Sequence, residues 1–153
     1  MAKLEGGSKD VDEAMEKWHN GSLSHRLYDV FTVAGLRVEA IEPGRLLCSF
    51  MALLASRRAS NRMQGGAVAS LVDLVGSAVI FAGGSPVTGV SLDITVSYLG
   101  AARANEEIEI EARVLGIGDK TGCVTVEVRR KDTGQVLAHG RHTKYLANVS
   151  SKL

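Results

Sequence analysis

Gly65-Gly66-Ala67-Val68-Ala69-Ser70-Leu71-Val72-Asp73-Leu74-Val75-Gly76-Ser77-Ala78-Val79-Ile80-Phe81 is the stretch that decides the fold. It is too long for a strand and has no period-2 alternation, so it predicts a helix. The helix is apolar nearly all round, which implies burial on every side. Its many small residues let a sheet approach the helix backbone closely. Gly83, Gly84, Ser85 and Pro86 end it. Asp73 stands alone in this setting: from Met63 to Ala102 the chain carries only two charges, Asp73 and Asp93. An unpaired ionised carboxylate loses several kcal/mol (roughly) on leaving water. Asp73 therefore needs a partner or a use, and it is the first candidate for chemistry. Apolar surroundings are expected to raise its pKa.

Strands flank the helix. Leu36 to Ile41 alternates, Glu42-Pro43-Gly44 is turn chemistry, and Arg45 to Leu54 reads as the hairpin partner. Ala55 to Met63 is polar and basic, hence a loop. Beyond the helix, Val90, Leu92, Ile94, Val96 and Tyr98 alternate with polar residues, and Ile108, Ile110, Ala112 and Val114 do the same. A Gly116–Gly122 loop leads to a strand through Val124, Val126 and Val128. The Lys131-Asp132-Thr133-Gly134 turn leads to a last strand from Gln135 to Leu146. Short loops imply antiparallel neighbours. Upstream, residues 8–19 read as a short amphipathic helix, and Ser22 or Ser24 as the cap of a second one through Leu27, Val30 and Phe31. The expected class is α+β, a curved antiparallel sheet wrapped around one central buried helix.

The length of 153 residues fits one domain, read as an N-terminal helical extension over 1–20, the main domain over 21–147 and a tail over 148–153. A net charge of +1 gives no broad basic field for nucleic acid. Cys48 and Cys123 are far apart and read as free thiols of an intracellular protein. No metal-ligand set is visible. His139 and His142, three apart on a strand, are expected to face opposite sides, and each histidine has the plain reading of a surface or hydrogen-bonded residue. The polar start, Met1 to Asp10, does not read as a signal peptide. The apolar run after Asp73 falls short of the ~20 residues a membrane span takes. Ser151-Lys152-Leu153, closing a short polar tail, reads as a peroxisomal address recognised by an import receptor.

Gly65 and Gly66 open the helix, where free backbone N–H groups and a positive dipole end are available. Glycines there let a substrate approach the main chain, and such amides can hold a developing oxyanion. Asp73 lies about 12 Å further along by helical rise, so one chain's Gly65 and Asp73 cannot both touch a single carbonyl. Two such helices set antiparallel in a dimer would bring one chain's glycines to the other's Asp73. The competing interpretation is a buried, hydrogen-bonded Asp73 beside glycines that serve packing alone.

The run from Met63 and Gln64 through Gly65 and Gly66 to Leu71, Val72 and Asp73 resembles the His-Gly-Gly…Leu-Val-Asp segment of hotdog-fold acyl-CoA thioesterases, the phenylacetate-degradation and small acyl-CoA thioesterase types in particular. Gly89 to Tyr98, Lys120-Thr121 in a glycine-bearing hairpin, and Gly140 to Leu146 agree with further family segments in the same order. The resemblance implies a hotdog fold and hydrolysis of acyl-CoA to free acid and coenzyme A. It also implies no cofactor beyond coenzyme A as part of the substrate, and homodimers assembling into homotetramers. Asp73 takes the position of the nucleophile or general base, Gly65 that of the oxyanion amide, and Ser91 that of a residue orienting water or carboxylate. Coenzyme A contacts fall on Ser91, Asp93, Tyr98, Gly116, Ile117, Gly118, Asp119, Lys120, Thr121 and Tyr145. The motif histidine is Gln64 here, which has a donor and an acceptor but does not titrate. The family asparagine falls by spacing at Arg58, with Asn61 nearby and kept as a candidate.

Two rivals are weighed. A non-catalytic acyl-CoA carrier or sensor on the same fold is kept open by the replaced histidine and asparagine. A hydratase or dehydratase usually wants a histidine paired with an acid, and the sequence reading places no histidine beside the helix. Lys120, Arg129, Arg130, Lys131, Arg141 and Lys144 are candidates for nucleotide phosphates or, more plainly, solvated surface charges, and Arg57, Arg58 and Arg62 are as ambiguous.

Overall fold

The computed structural model describes residues 35–51 and 61–146. The expected helices upstream, the Ala52–Leu54 end of the second strand, Arg57, Arg58 and the C-terminal tripeptide lie outside the described residues. Six strands and one helix follow in the order β1 (Arg37–Glu42), β2 (Arg45–Met51), α1 (Gly65–Ala82), β3 (Val90–Tyr98), β4 (Glu107–Ile117), β5 (Thr121–Arg130) and β6 (Val136–Tyr145). All pair antiparallel in one sheet, ordered β1-β2-β4-β5-β6-β3. Element boundaries agree with the sequence reading except at the β4–β5 hairpin, where the expected seven-residue loop is mostly strand and only 118–120 turn.

The inner face follows from register. One row runs Leu46, Ala112, Val126, Gly140 and Val96; the next runs Cys48, Ile110, Val128, Ala138 and Tyr98. A third runs Val114, Val124, His142 and Ile94. Against the first two rows and Val124 lie Leu71, Val72, Val75, Val79 and Ile80 of α1, all fully buried. Small residues bring helix and sheet together: a methyl group added at Gly140 would stand 2.6 Å from Val72 Cγ1. The outer face is ionic. Glu111 is bound by Arg45 (2.7 Å) and Arg129 (2.9 Å), and Arg129 also reaches Glu109 (3.0 Å). Burial pushes the Glu111 carboxyl up, but its hydrogen bonds to Arg45 and Arg129 outweigh that and hold it below the usual range.

One expectation is corrected. The helix is not buried on every side: Leu74 is 41% and Phe81 54% exposed, and Asp73 is open as well. The alternating strand β3 is exposed almost throughout, with only Val96 half-buried. The physical reason is topology. β3 follows α1 but crosses to the sheet edge beside β6, so its apolar residues and one flank of α1 form a shared open surface within a single chain. By length and composition α1 is apolar enough to cross a membrane; its buried flank packs instead on the sheet.

Candidate active site

Gln64 caps α1 in an extended conformation (φ −72°, ψ 142°) without a side-chain bond to the helix amides. Gly65 and Gly66 form the first turn. The Tyr98 hydroxyl donates to the Gly65 carbonyl at 2.9 Å, and a side chain at Gly65 would touch the Tyr98 ring at 3.4 Å. Gly65, Gly66 and Tyr98 share a cavity of ≈ 450 Å³ with apolar Met63, Val68, Ile108 and Leu137. The helix start therefore combines amides with no helical partner and an apolar pocket. Asn61 does not line that pocket. It sits in the left-handed region (φ 61°), and its carbonyl accepts from the Ala104 amide at 3.1 Å, pinning the approach to α1.

Asp73 occupies the open flank. Half of its side chain is exposed (51%), which corrects the expected apolar enclosure. It lines a shallow cleft with Gly66, Ala69, Ser70, Ile94, Val96 and Tyr98. Two side chains meet it from elsewhere. Ser77, one turn on, donates from Oγ to Asp73 Oδ1 at 3.5 Å. His142 of β6 places Nε2 3.6 Å from the same oxygen and 2.8 Å from Ser91 Oγ. Thus Asp73 and Ser91, chosen from the sequence, do converge, joined by a histidine.

That histidine is a second correction. The sequence pattern predicts no histidine beside the helix; His142 is fully buried there. Gly76 leaves the space, since a methyl group at that position would lie 3.2 Å from His142 Nδ1. Nδ1 has no hydrogen-bond partner among the described residues. Burial holds the imidazole below its usual range, Lys144 adds to this, and Asp73 and Asp93 oppose it; the neutral form is favoured. Lys144, expected among the phosphate contacts or solvated charges, is also buried (4% exposed) and donates to Ser77 Oγ at 2.6 Å. The missed signal was the parity of β6. Ala138 and Gly140 face the helix, so His142 and Lys144 must face it too.

The remaining candidates separate by position. Asp93 accepts from Thr95 Oγ1 at 3.0 Å on the exposed strand. Gly116 to Thr121 form the β4–β5 hairpin, closed by the Gly118 amide on the Thr121 carbonyl (2.8 Å), and Tyr145 pairs with Thr121. Ile117, Gly118 and Asp119 line a cleft with Gly83 to Val87, beyond the C-terminal end of α1. Hairpin and Gly65 thus stand at opposite helix ends, about 27 Å apart by helical rise. Arg129, Arg130 and Lys131 are taken by Glu109, Glu106 and Glu107, at 3.0 to 3.1 Å. Among the described residues no group of three or more His, Cys, Asp or Glu side chains is placed to hold a metal ion.

Residues 61–137 match the thioesterase superfamily. That span includes the α1 start, Asp73, Ser91 and Tyr98. The chain belongs to the thioesterase superfamily. It is 33% identical over 148 residues to human acyl-coenzyme A thioesterase 13, covering 97% of this chain and all of that one. Among solved structures, zebrafish thioesterase superfamily member 2 superposes with a TM-score of 0.77 at 28% identity, over 92% of this chain and all of that one. A thioesterase protein from Streptococcus pneumoniae, solved with coenzyme A, shares the fold at 18% identity and a TM-score of 0.69, over 74% of this chain and 90% of that one. The α+β hotdog architecture expected from the sequence is therefore the family's fold, and kinship with acyl-CoA thioesterases accompanies it.

Proposed function

We propose that this thioesterase-superfamily protein hydrolyses acyl-CoA esters to free acid and coenzyme A at sites shared between two protomers. The observation that carries the reading is Asp73, an accessible carboxylate on a cleft beside an unpaired sheet edge, too far along α1 to serve its own Gly65. Among the described residues β3 pairs only with β6, and Val90, Leu92, Ile94 and Tyr98 on it are 38–59% exposed. An open edge with apolar side chains is a template for pairing. A two-fold partner joined there sets two α1 helices antiparallel, so that each Asp73 approaches the other chain's Gly65 amide. Each hairpin from Gly116 to Thr121 then moves toward the other chain's helix start, where it is assigned to coenzyme A together with Asp93 and Tyr145. The apolar cavity beside Gly65 is assigned to the acyl group.

In this reading the Gly65 N–H polarises the thioester carbonyl, and Asp73 attacks the carbon or takes the proton of the water that does. Ser91, held by His142, orients that water or the carboxylate. Gln64 supplies polar contact without proton transfer. Pairs of dimers forming tetramers and delivery to peroxisomes by Ser151-Lys152-Leu153 belong to the same proposal; they rest on the family resemblance and the tripeptide.

The test is Asp73→Asn assayed with a panel of acyl-CoA esters and thiol detection. A loss of about 10²- to 10⁴-fold in kcat with coenzyme A binding retained is the expected result. Undiminished turnover removes Asp73 from the chemistry; coenzyme A binding by the wild type with no thiol release from any ester leaves a carrier or sensor. The His142–Asp73 pair meets the requirement on which the hydratase rival was set aside, so enoyl-CoA esters belong in the panel. Hydration of them without thiol release would replace hydrolysis as the assignment.

A further inference from the structure

Lys144 is a charged side chain placed inside the protein. It projects from the inner face of β6, two residues after His142, and 4% of it is exposed. Lysine is almost never fully buried unless something pairs with it. Its contact is a 2.6 Å bond from Nζ to Ser77 Oγ. Ser77 has one hydroxyl proton to give; because its oxygen accepts from Lys144, that proton points onward, to Asp73 Oδ1 at 3.5 Å. The direction of donation is fixed along the chain, from ammonium to hydroxyl to carboxylate.

We propose that Lys144 and Ser77 are positioning residues for Asp73: they orient its carboxylate and set its electrostatics from inside the core, at the same oxygen that His142 approaches. The inference rests on the hydrolase reading and deepens it. The other group that reaches Asp73 is His142 from β6, itself bonded to Ser91 of β3, and Asp93 of β3 acts electrostatically on His142. His142 is favoured neutral, so Lys144 is the cation of the cluster among the described residues. Burial holds its ammonium below the usual lysine range, against the opposing pull of Asp73. A lysine of purely structural purpose is better replaced by an apolar residue, since taking an ion from water costs several kcal/mol (roughly). The placement is explained if the charge acts on the acid it reaches.

The experiment compares Lys144→Met, Ser77→Ala and Ser77→Thr with wild type in acyl-CoA hydrolysis, recording kcat, KM, pH–rate profiles and Tm. Lys144→Met and Ser77→Ala are expected to lower kcat about 10- to 100-fold, the worth of a hydrogen bond to a charged group, with KM nearly unchanged. Ser77→Thr, which keeps the hydroxyl, is expected to recover most of that. Wild-type kcat should fall on the alkaline side, below the ordinary lysine range of ~10.4, as Lys144 loses its proton; that limb should vanish in Lys144→Met. If Lys144→Met does not fold, Ser77→Ala and Ser77→Thr decide. Equal kcat in Ser77→Ala and wild type, or equal losses in Ser77→Ala and Ser77→Thr, overturns the inference. Asp73→Asn run alongside separates the two failures. If it abolishes hydrolysis while the Ser77 and Lys144 variants do not, only the positioning role is lost; if it has no effect, the assignment of Asp73 to the reaction fails too.

Discussion

Two inactive variants of this chain should restore each other. Asp73→Asn removes the acid and keeps its shape. Half of that side chain is in solvent, so stability should change by about 0.5 kcal/mol or less. Gly65→Pro removes the amide hydrogen. Gly65 is the first residue of α1, where proline is favoured, and Gln64 already has the extended conformation that a following proline requires. A single oxyanion donor is worth about 2.7–4 kcal/mol, so Gly65→Pro should lose about 10²- to 10³-fold in kcat. Each homodimer has two crippled sites. In a co-expressed mixture about half the dimers are mixed, and each of these has one site with both defects and one with none, so the expected activity is about a quarter of wild type. This is well over tenfold above either parent. The assay is thiol release from an acyl-CoA ester, with native mass spectrometry to count mixed dimers. A mixture containing mixed dimers yet no more active than its parents would show that Asp73 and Gly65 do not act across a subunit boundary, and the 12 Å argument from helical rise would be wrong.

Gly140→Ala should destabilise the fold by about 1–3 kcal/mol in urea titration, because the new methyl would lie 2.6 Å from Val72 Cγ1. Gly66→Ala, with nothing within 4 Å, should be neutral or gain up to about 1 kcal/mol from helix propensity; equal losses at both sites would contradict the packing described. His142, held below its usual range by burial, should make stability fall as pH drops through about 6.5 toward the lowered value, because only the unfolded chain takes up the proton there. His142→Gln should flatten the Tm profile over that interval, and an unchanged slope would place the acid sensitivity elsewhere. A fluorescent protein ending in residues 147–153 should collect in peroxisomes and remain diffuse without Leu153; diffuse signal from both would remove the peroxisomal assignment.

Much was legible in the chain itself. The 65–81 helix, the period-2 strands and their antiparallel pairing follow from local pattern, since backbone geometry converts apolar spacing directly into faces. Gly65 and Asp73 were legible as well, because a glycine pair at a helix start and a lone acid in an apolar run are local anomalies. His142 and Lys144 were not. Their strand has no apolar alternation to mark its inner face, and only pairing with β5, Val124 opposite His142 and Gly122 opposite Lys144, shows that both point to α1. The exposure of Asp73 and of β3 was equally hidden. An apolar run records that water is to be excluded, without recording whether the same chain or another copy excludes it. Strand order shows only which surface this chain leaves uncovered: β3 crosses to the sheet edge and leaves one flank of α1 open, a consequence of contacts far apart in sequence that no local pattern encodes.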